Sequence, residues 1–368
     1  MHDLFVKEER GQGIAVLGTV PLLAPALGPM AAAAMLGRLS WRWIFGVTSF
    51  FGAAVGLLGY ITLRETCAPV ILARRAAKLR KVSGDNKYHA QDEFQDRTIV
   101  DHIRKNINRA VLYLCTEPIV WLVSFYTTAS FGVLYLVSFL YPLQYESRTH
   151  PLQFLSTFPL VWTEVYHEKI TISGLHYIAY GLGLLFGTQL GTRLSDHIYR
   201  KLKQRNHGQG RAEYRLPLVI GFSLLSPASL ILYGWTINPK IHWIVPTIGA
   251  FFFGIGYILP TQCYISYTIE CYGKHSASAS AATNVFRNIA GFAFPLFGPL
   301  LYKKLGWGWG NSLLALVLLI SALPTTLMLW WFGAKLRARS KHASADEDDE
   351  APVALLAVDR TVAQKPYV

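Results

Sequence analysis

The stretch Trp243-Ile-Val-Pro-Thr-Ile-Gly-Ala-Phe-Phe-Phe-Gly-Ile-Gly-Tyr-Ile-Leu-Pro-Thr-Gln-Cys-Tyr-Ile-Ser-Tyr267 runs for 25 residues without an acidic or basic side chain. About 20 such residues cross a hydrocarbon core roughly 30 Å thick as a helix. Hydrocarbon offers no partner for an open backbone N–H or C=O, so the span must be helical. Seven more stretches read the same way: 13–36, 43–63, 119–141, 172–192, 217–237, 281–302 and 311–333. Proline recurs inside them, at Pro21, Pro25, Pro29, Pro227, Pro246, Pro260, Pro295 and Pro324. Each would cost about 3 kcal/mol in a soluble helix. A packed membrane bundle tolerates them because neighbouring helices satisfy the freed groups. The expected class is all-α: a polytopic helical membrane protein with about eight transmembrane helices.

Composition supports this reading. Only 15% of the 368 residues are charged, 52% are apolar, and mean hydropathy is +0.29. Those values argue against a soluble enzyme, a secreted disulfide scaffold and a disordered protein. The net charge of +13 comes in short blocks between apolar runs rather than as a nucleic-acid-binding patch. On the side of the termini fall 27 Lys and Arg, against 7 in the opposite loops, with Arg287 alone inside a span. That bias places both termini in the cytoplasm. Residues 64–118 then form a cytoplasmic central loop, in which Arg74, Arg75, Lys78, Arg80 and Lys81 suit an amphipathic helix on an anionic leaflet. Residues 334–368 read as a disordered tail with an acidic run from Asp346 to Glu350. Met1 to Arg10 is polar, unlike a secretory leader. Cys67, Cys115, Cys263 and Cys271 show no metal or redox spacing, so neither a metal nor a cofactor is expected.

Several motifs stand in a particular order. First come Lys7-Glu-Glu-Arg-Gly11, Gly18, Ala24-Pro25, Gly28-Pro29, Ser40-Trp-Arg-Trp-Ile-Phe45 and Leu63-Arg-Glu-Thr66. Gly191-Thr-Arg-Leu-Ser-Asp196-His-Ile-Tyr-Arg-Lys-Leu-Lys203 and Tyr214-Arg-Leu-Pro217 follow. Glu270-Cys-Tyr272, Ser278-Ala-Ser-Ala-Ala282, Arg287-Asn288 and Phe294-Pro-Leu-Phe-Gly298 complete the set. In this order they resemble fungal drug:proton antiporters of the major facilitator superfamily, twelve-spanner branch. The resemblance implies two six-helix halves, with this chain matching the fifth to twelfth spans and lacking the first four. It would comprise the last two helices of the first half (1–63), the central loop (64–118) and the whole second bundle (119–333). Residues 142–151 look inserted relative to the family. By resemblance the function is secondary transport: proton-coupled efflux of hydrophobic or cationic small molecules, across the plasma membrane. Partners are then a small-molecule substrate, protons and the bilayer. The alternative is a truncated, non-transporting membrane fragment, since alternating access needs two bundles and the eight cores hold no Asp or Glu to carry a proton.

Three sets of residues carry the expected mechanism. Gly18, Pro25, Gly28 and Pro29 correspond to the antiporter motif, a hinge against proton leak; the alternative is a kinked packing helix. Gly191, Arg193, Asp196 and Arg200 correspond to a cytoplasmic latch, with Arg193 and Arg200 within a turn of Asp196; the alternative is an orientation anchor. Tyr257, Thr261, Tyr264 and Thr268 share one helix face. Together with Tyr126 and Tyr135 they match spans that line the family's cavity, or they serve only as interhelical hydrogen bonds. Arg287 either faces this cavity, pairing with an anionic substrate or with Glu270, or snorkels towards the cytoplasm.

Overall fold

The computed structural model describes residues 39–62, 68–84, 111–138 and 161–340, apart from 238, 240, 274 and 275, with short pieces at 27–35, 108, 141–142 and 154–155. Most of the expected span 13–36, and with it Gly18, Pro25 and Pro29, lies outside the described residues; Gly28 is described and exposed. The main helices are α1 (Trp41–Thr62), α2 (Ala68–Ser83), α3 (Pro118–Ser138), α4 (Tyr177–Arg205), α5 (Leu216–Phe222), α6 (Leu225–Ile237), α7 (Ile244–Tyr272) and α8 (Ser276–Arg339). A minimal antiparallel pair, β1 (Tyr141–Pro142) with β2 (Phe154–Leu155), is the one departure from helix in the ladders described.

Each described span expected from the sequence is helical, and the differences have local causes. The span 217–237 divides at Ser223 and Leu224 into α5 and α6. Pro227 has no N–H to offer the Ser223 carbonyl four residues back, so the ladder opens there. The expected spans 281–302 and 311–333 are the two arms of α8, separated at Gly306, where φ is 70° and ψ 177°. The left-handed φ suits glycine. The Tyr302 hydroxyl donates to Asn311 Oδ1 at 3.2 Å, and the Tyr302 ring lies 4.6 Å from that of Trp307. In a straight helix nine residues rise about 13 Å, so this contact requires the chain to double back. The second arm runs beyond the expected 333 to Arg339.

Five helical stretches among the described residues are long and apolar enough to cross a membrane: Arg42–Thr62, Pro118–Val137, Ala212–Ile237, Ile244–Tyr272 and Leu300–Arg339. α4 and the first arm of α8 are also long, but Gly, Thr, Ser and charged residues dilute their hydropathy. Contacts fix the directions of the bundle helices from α3 to α8 relative to one another. Along α4, Gly187 meets Ile255 and Ile258 and Gly191 meets Leu259, so α4 and α7 run parallel. Gly291, Gly132 and Gly298 pair Phe131, Phe294 and Leu136, which makes α3 parallel to the first arm of α8. Gly249 meets Tyr233 and Gly256 meets Ser226, so α6 and α7 are antiparallel. Six successive spans therefore alternate in direction. One end of the bundle gathers Glu117, 195–215, 267–272 and 333–339, which we call the charged end; the other holds the turn at Gly306, the hairpin end.

Two buried apolar clusters fill the interior. One lies towards the charged end around Tyr113, Val120, Leu216, Tyr264 and Tyr267. The second lies towards the hairpin end around Trp162, Tyr180, Leu230, Tyr233 and Phe253. Between α4 and α7 the backbones touch. A Cβ on Gly183 would collide with the Phe251 carbonyl, and one on Gly254 would sit 2.8 Å from the Tyr180 carbonyl. Small residues at such seams replace hydrophobic driving force with close van der Waals contact. α1 stands apart from this packing: Phe50 is 77% and Tyr60 87% exposed. An apolar helix exposed all round suits lipid.

We expect Gly183→Ala and Gly254→Ala each to lower stability in detergent by about 1–3 kcal/mol through overpacking. Gly221, with open space around its Cα, provides the control; Gly221→Ala should be neutral or stabilising by up to about 1 kcal/mol. Thermal melting of the three variants checks this, and equal melting points would mean that the seam is loose.

Candidate functional site: an aromatic face and two polar clusters

The tyrosine face expected from sequence spans α3, α7 and the first arm of α8, and the structure divides it. Tyr126 and Tyr264 belong to the core, their rings 4.6 Å apart. The Tyr264 hydroxyl meets Thr326 Oγ1 at 2.6 Å, and Thr326 in turn donates to the Ala322 carbonyl at 2.7 Å. Thr326 has a single hydroxyl proton, so Tyr264 is the donor in the first bond. Thr261 and Thr268 donate to the carbonyls of Tyr257 and Tyr264, four residues back, at 2.7 and 2.9 Å. These four residues are engaged in packing and helix bonds, with Thr261 also beside the Tyr126 phenol.

Tyr135, Tyr257 and Arg287 differ, because each is only partly buried. Tyr257 lies within electrostatic range of Arg287, Tyr126 and Tyr135. The Arg287 guanidinium sits 4.7 Å from the centre of the Phe131 ring, which lies 4.4 Å from Tyr135. Gly291 makes room for this stack, since a Cβ there would come within 2.9 Å of Phe131. Phe131 was not anticipated; its place four residues before Tyr135 on a helix, hence on the same face, is the signal that would have found it. The pairing of Arg287 with Glu270 is not found. Glu270 sits at the charged end, its Oε1 taken by Arg215. A separate apolar crevice of about 10 Å³, enough for one water, lies nearer the hairpin end between Val137, Tyr177, Tyr180, Leu230, Tyr233 and Phe253.

At the charged end the expected latch is rearranged. Gly191 serves the close α4–α7 contact. Asp196 binds neither Arg193, which is exposed, nor the side chain of Arg200 in a described ion pair; Arg200 Nε donates to the Asp196 carbonyl at 3.3 Å. Its partner is Arg215, at the start of the next span. Arg215 reaches Glu270 Oε1 at 2.6 Å through Nε, and Asp196 Oδ1 at 3.4 Å and Ser195 Oγ at 3.3 Å through Nη1. One planar fork thereby joins three helices. Sequence spacing favoured intrahelical neighbours, whereas the bundle brings a residue from the next span closer. A second pair lies beside it: Arg337 Nη2 donates to both oxygens of Glu213 at 2.7 and 2.8 Å. Glu117 is buried and accepts from the Tyr272 hydroxyl at 3.0 Å. Nothing in the spacing of Glu213, Arg215 and Arg337 announces these contacts.

The hairpin end holds a third cluster. His176 stacks on Trp162, with ring centroids 3.6 Å apart, and bridges Glu168 Oε2 at 3.0 Å to Thr247 Oγ1 at 3.2 Å. Thr247 also donates to the Trp243 carbonyl at 2.8 Å. Burial first, and the Glu168 carboxylate second, raise the Tyr166 phenol above its ordinary pKa. It remains a donor, to the Ile241 carbonyl at 2.7 Å.

The Glu213–Arg337 pair is the more buried of the ion pairs, at 9% and 12% side-chain exposure. Removing one partner strands the other charge, so Arg337→Ala should cost about 3–5 kcal/mol. The exposed Arg193→Ala should stay within about 0.5 kcal/mol. Denaturation in detergent separates the two; equal effects would dissolve the distinction between a tied and an untied arginine.

The comparisons with known proteins agree with this architecture. The profile of the Major Facilitator Superfamily matches residues 1–295. An uncharacterized transporter of Schizosaccharomyces pombe is 38% identical over 95% of this chain and 67% of its own. The efflux pump vrtL of Penicillium aethiopicum is 37% identical over 94% of this chain and 64% of its own. The probable efflux pump mfs2 of Aspergillus flavus is 32% identical over 93% and 77%. The chain thus spans about two thirds of the length of the first two relatives. A helical bundle of alternating spans, a profile match over most of the chain and relatives aligned along nearly all of it lead to one assignment: the chain belongs to the Major Facilitator Superfamily.

Proposed function

We propose that this protein acts in transmembrane secondary transport, as an exporter of small organic molecules. The observation that carries the reading is the half-buried face of Tyr135, Tyr257 and Arg287 on Phe131. It lies midway along a bundle whose ion pairs, among the described residues, sit at the ends. Ligand sites are mostly apolar with a few placed polar groups, and this face has that character. The relatives named as an efflux pump and a probable efflux pump support export as the direction.

Proton coupling follows from the resemblance to drug:proton antiporters. The charged end faces the cytoplasm, because the blocks of Lys and Arg fall on that side, and the membrane is the plasma membrane. Gly18, Pro25, Gly28 and Pro29 form the hinge. The Arg215 fork, rather than Arg193 or Arg200, supplies the latch on Asp196, strong enough to define one state and exposed enough to open. Residues 119–333 form one transporting bundle, 1–63 contribute to its partner, and α2 within 64–118 lies on the inner leaflet.

Efflux of Nile red, a neutral dye, from yeast depleted of its own exporters tests the transport reading. Wild type should clear dye several-fold faster than a vector control, and uncoupling the proton gradient should abolish the difference. Tyr257→Ala should slow efflux while leaving the membrane level unchanged. Tyr264→Ala, which opens a core cavity, should lower the membrane level itself. Dye clearance equal to the vector control at normal membrane level would overturn the reading. Topology is checked by impermeant thiol labelling in a cysteine-free background. Asn206→Cys should label only from the cytoplasm and Ile241→Cys only from outside.

A further inference from the structure

Arg287 places a guanidinium group, a planar fork of N–H donors with no acceptor, in the middle of the bundle. It lies eleven residues beyond Ser276, the start of α8, about 16 Å along the arm and roughly half of a 30 Å core. Its guanidinium does not turn back to the charged end. It lies over Phe131 at 4.7 Å, and Phe131 is thirteen residues past Pro118 on α3, about 20 Å along that helix. The side chain thus leads deeper, the opposite of snorkelling.

The carboxylates described at either end are engaged elsewhere. Asp196 and Glu270 hold Arg215, Glu213 holds Arg337, Glu117 accepts from Tyr272, and Glu168 meets His176. Arg287 Nε is buried and has no hydrogen-bond partner among the described residues. A charge at this depth is costly and persists for a use. The Phe131 ring returns part of the cost as a cation–π contact. A planar fork of N–H donors beside a phenol matches a carboxylate or another planar oxyanion. Phe131, Tyr135 and Tyr257 form an apolar, mostly aromatic wall for the rest of such a molecule.

From this arrangement we infer that the site selects organic anions: small amphipathic acids whose charged group is read by Arg287 and whose aromatic or apolar body lies against Phe131, Tyr135 and Tyr257. The inference rests on the proposed transport reading for the site itself. It departs from the cationic substrates that the family resemblance suggests, because Arg287 repels a like charge as firmly as it attracts an opposite one.

Three ligands sharing one ring system test it: 2-naphthoate, 2-naphthylmethanol and 2-naphthylmethylammonium, titrated by calorimetry into the purified full chain in lipid nanodiscs. Wild type should bind the acid at least about tenfold more tightly than the amine, a ratio that corresponds to about 1.4 kcal/mol. Arg287→Gln should bring the ratio to within about twofold, and Arg287→Lys should keep a smaller preference for the acid. Arg287→Met, an apolar chain of similar reach, stands in if the glutamine variant does not fold. Tyr257→Ala should weaken all three ligands together. Equal binding of acid and amine by wild type overturns the inference. So does an acid preference that survives both neutral variants, which would reflect only the general attraction of a chain of net charge +13. In either case, Tyr257-dependent binding of the neutral alcohol leaves the cavity reading standing. Binding of none of the three overturns both.

Discussion

The contact between the backbones of α4 and α7 sets the geometry of the rest. Gly183, Gly187 and Gly191 recur every fourth residue and so form one strip of α4, against which α7 lays Phe251, Ile255, Ile258 and Leu259. Lipid chains are as apolar as leucine, so helices in a bilayer gain little by burying apolar side chains against each other. They gain by approaching closely, and only glycine permits the distance seen here. α7 is then held from its other side by α6, where Gly249 and Gly256 admit Tyr233 and Ser226. With α7 fixed, its tyrosines point towards α3 and α8, and its last turn brings Glu270 to Arg215 and Tyr272 to Glu117.

Charge is distributed by the same economy. Ion pairs sit where water can relieve part of the desolvation, at the charged end, and a histidine–glutamate contact closes the hairpin end. A network of this kind is suited to breaking and re-forming, because partly solvated pairs are individually modest. Arg287 is the exception, set at mid-depth against an aromatic ring. A transport protein can tolerate one such charge if a passing ligand shares it, and an anion does so more fully than a tyrosine.

Much of the fold was legible because hydrocarbon restricts the backbone so severely. The runs 43–63, 119–141, 172–192, 217–237, 243–267, 281–302 and 311–333 could only be helices, and of their prolines Pro227 coincides with an open ladder, between α5 and α6, while Pro246, Pro260, Pro295 and Pro324 lie within continuous helix. The short Lys303–Gly310 segment announced a reversal, and Gly306 supplied it. The site was less legible. Helical spacing gathered Tyr257, Thr261, Tyr264 and Thr268 on one face but not which of them is buried, since that depends on the neighbouring helix. Tyr264 turned inward because Thr326 was there to accept its proton. Asp196 found Arg215 instead of Arg193 because the following span folds back alongside.

Local physics therefore belongs to the sequence: which segments are helical, where they break, and which loops carry the basic residues. All of these depend on neighbours within a few turns and on the solvent each segment meets. Partnership belongs to the tertiary structure. The Glu213–Arg337 and Arg215–Glu270 pairs join residues 124 and 55 positions apart, and the His176–Thr247 bond joins residues 71 apart. No helical period reaches so far; only the packing of one helix on another brings those atoms within hydrogen-bond range. The same holds for Arg287, whose charge was plain in the sequence while its direction, over Phe131 and away from the water, was decided by the helix beside it.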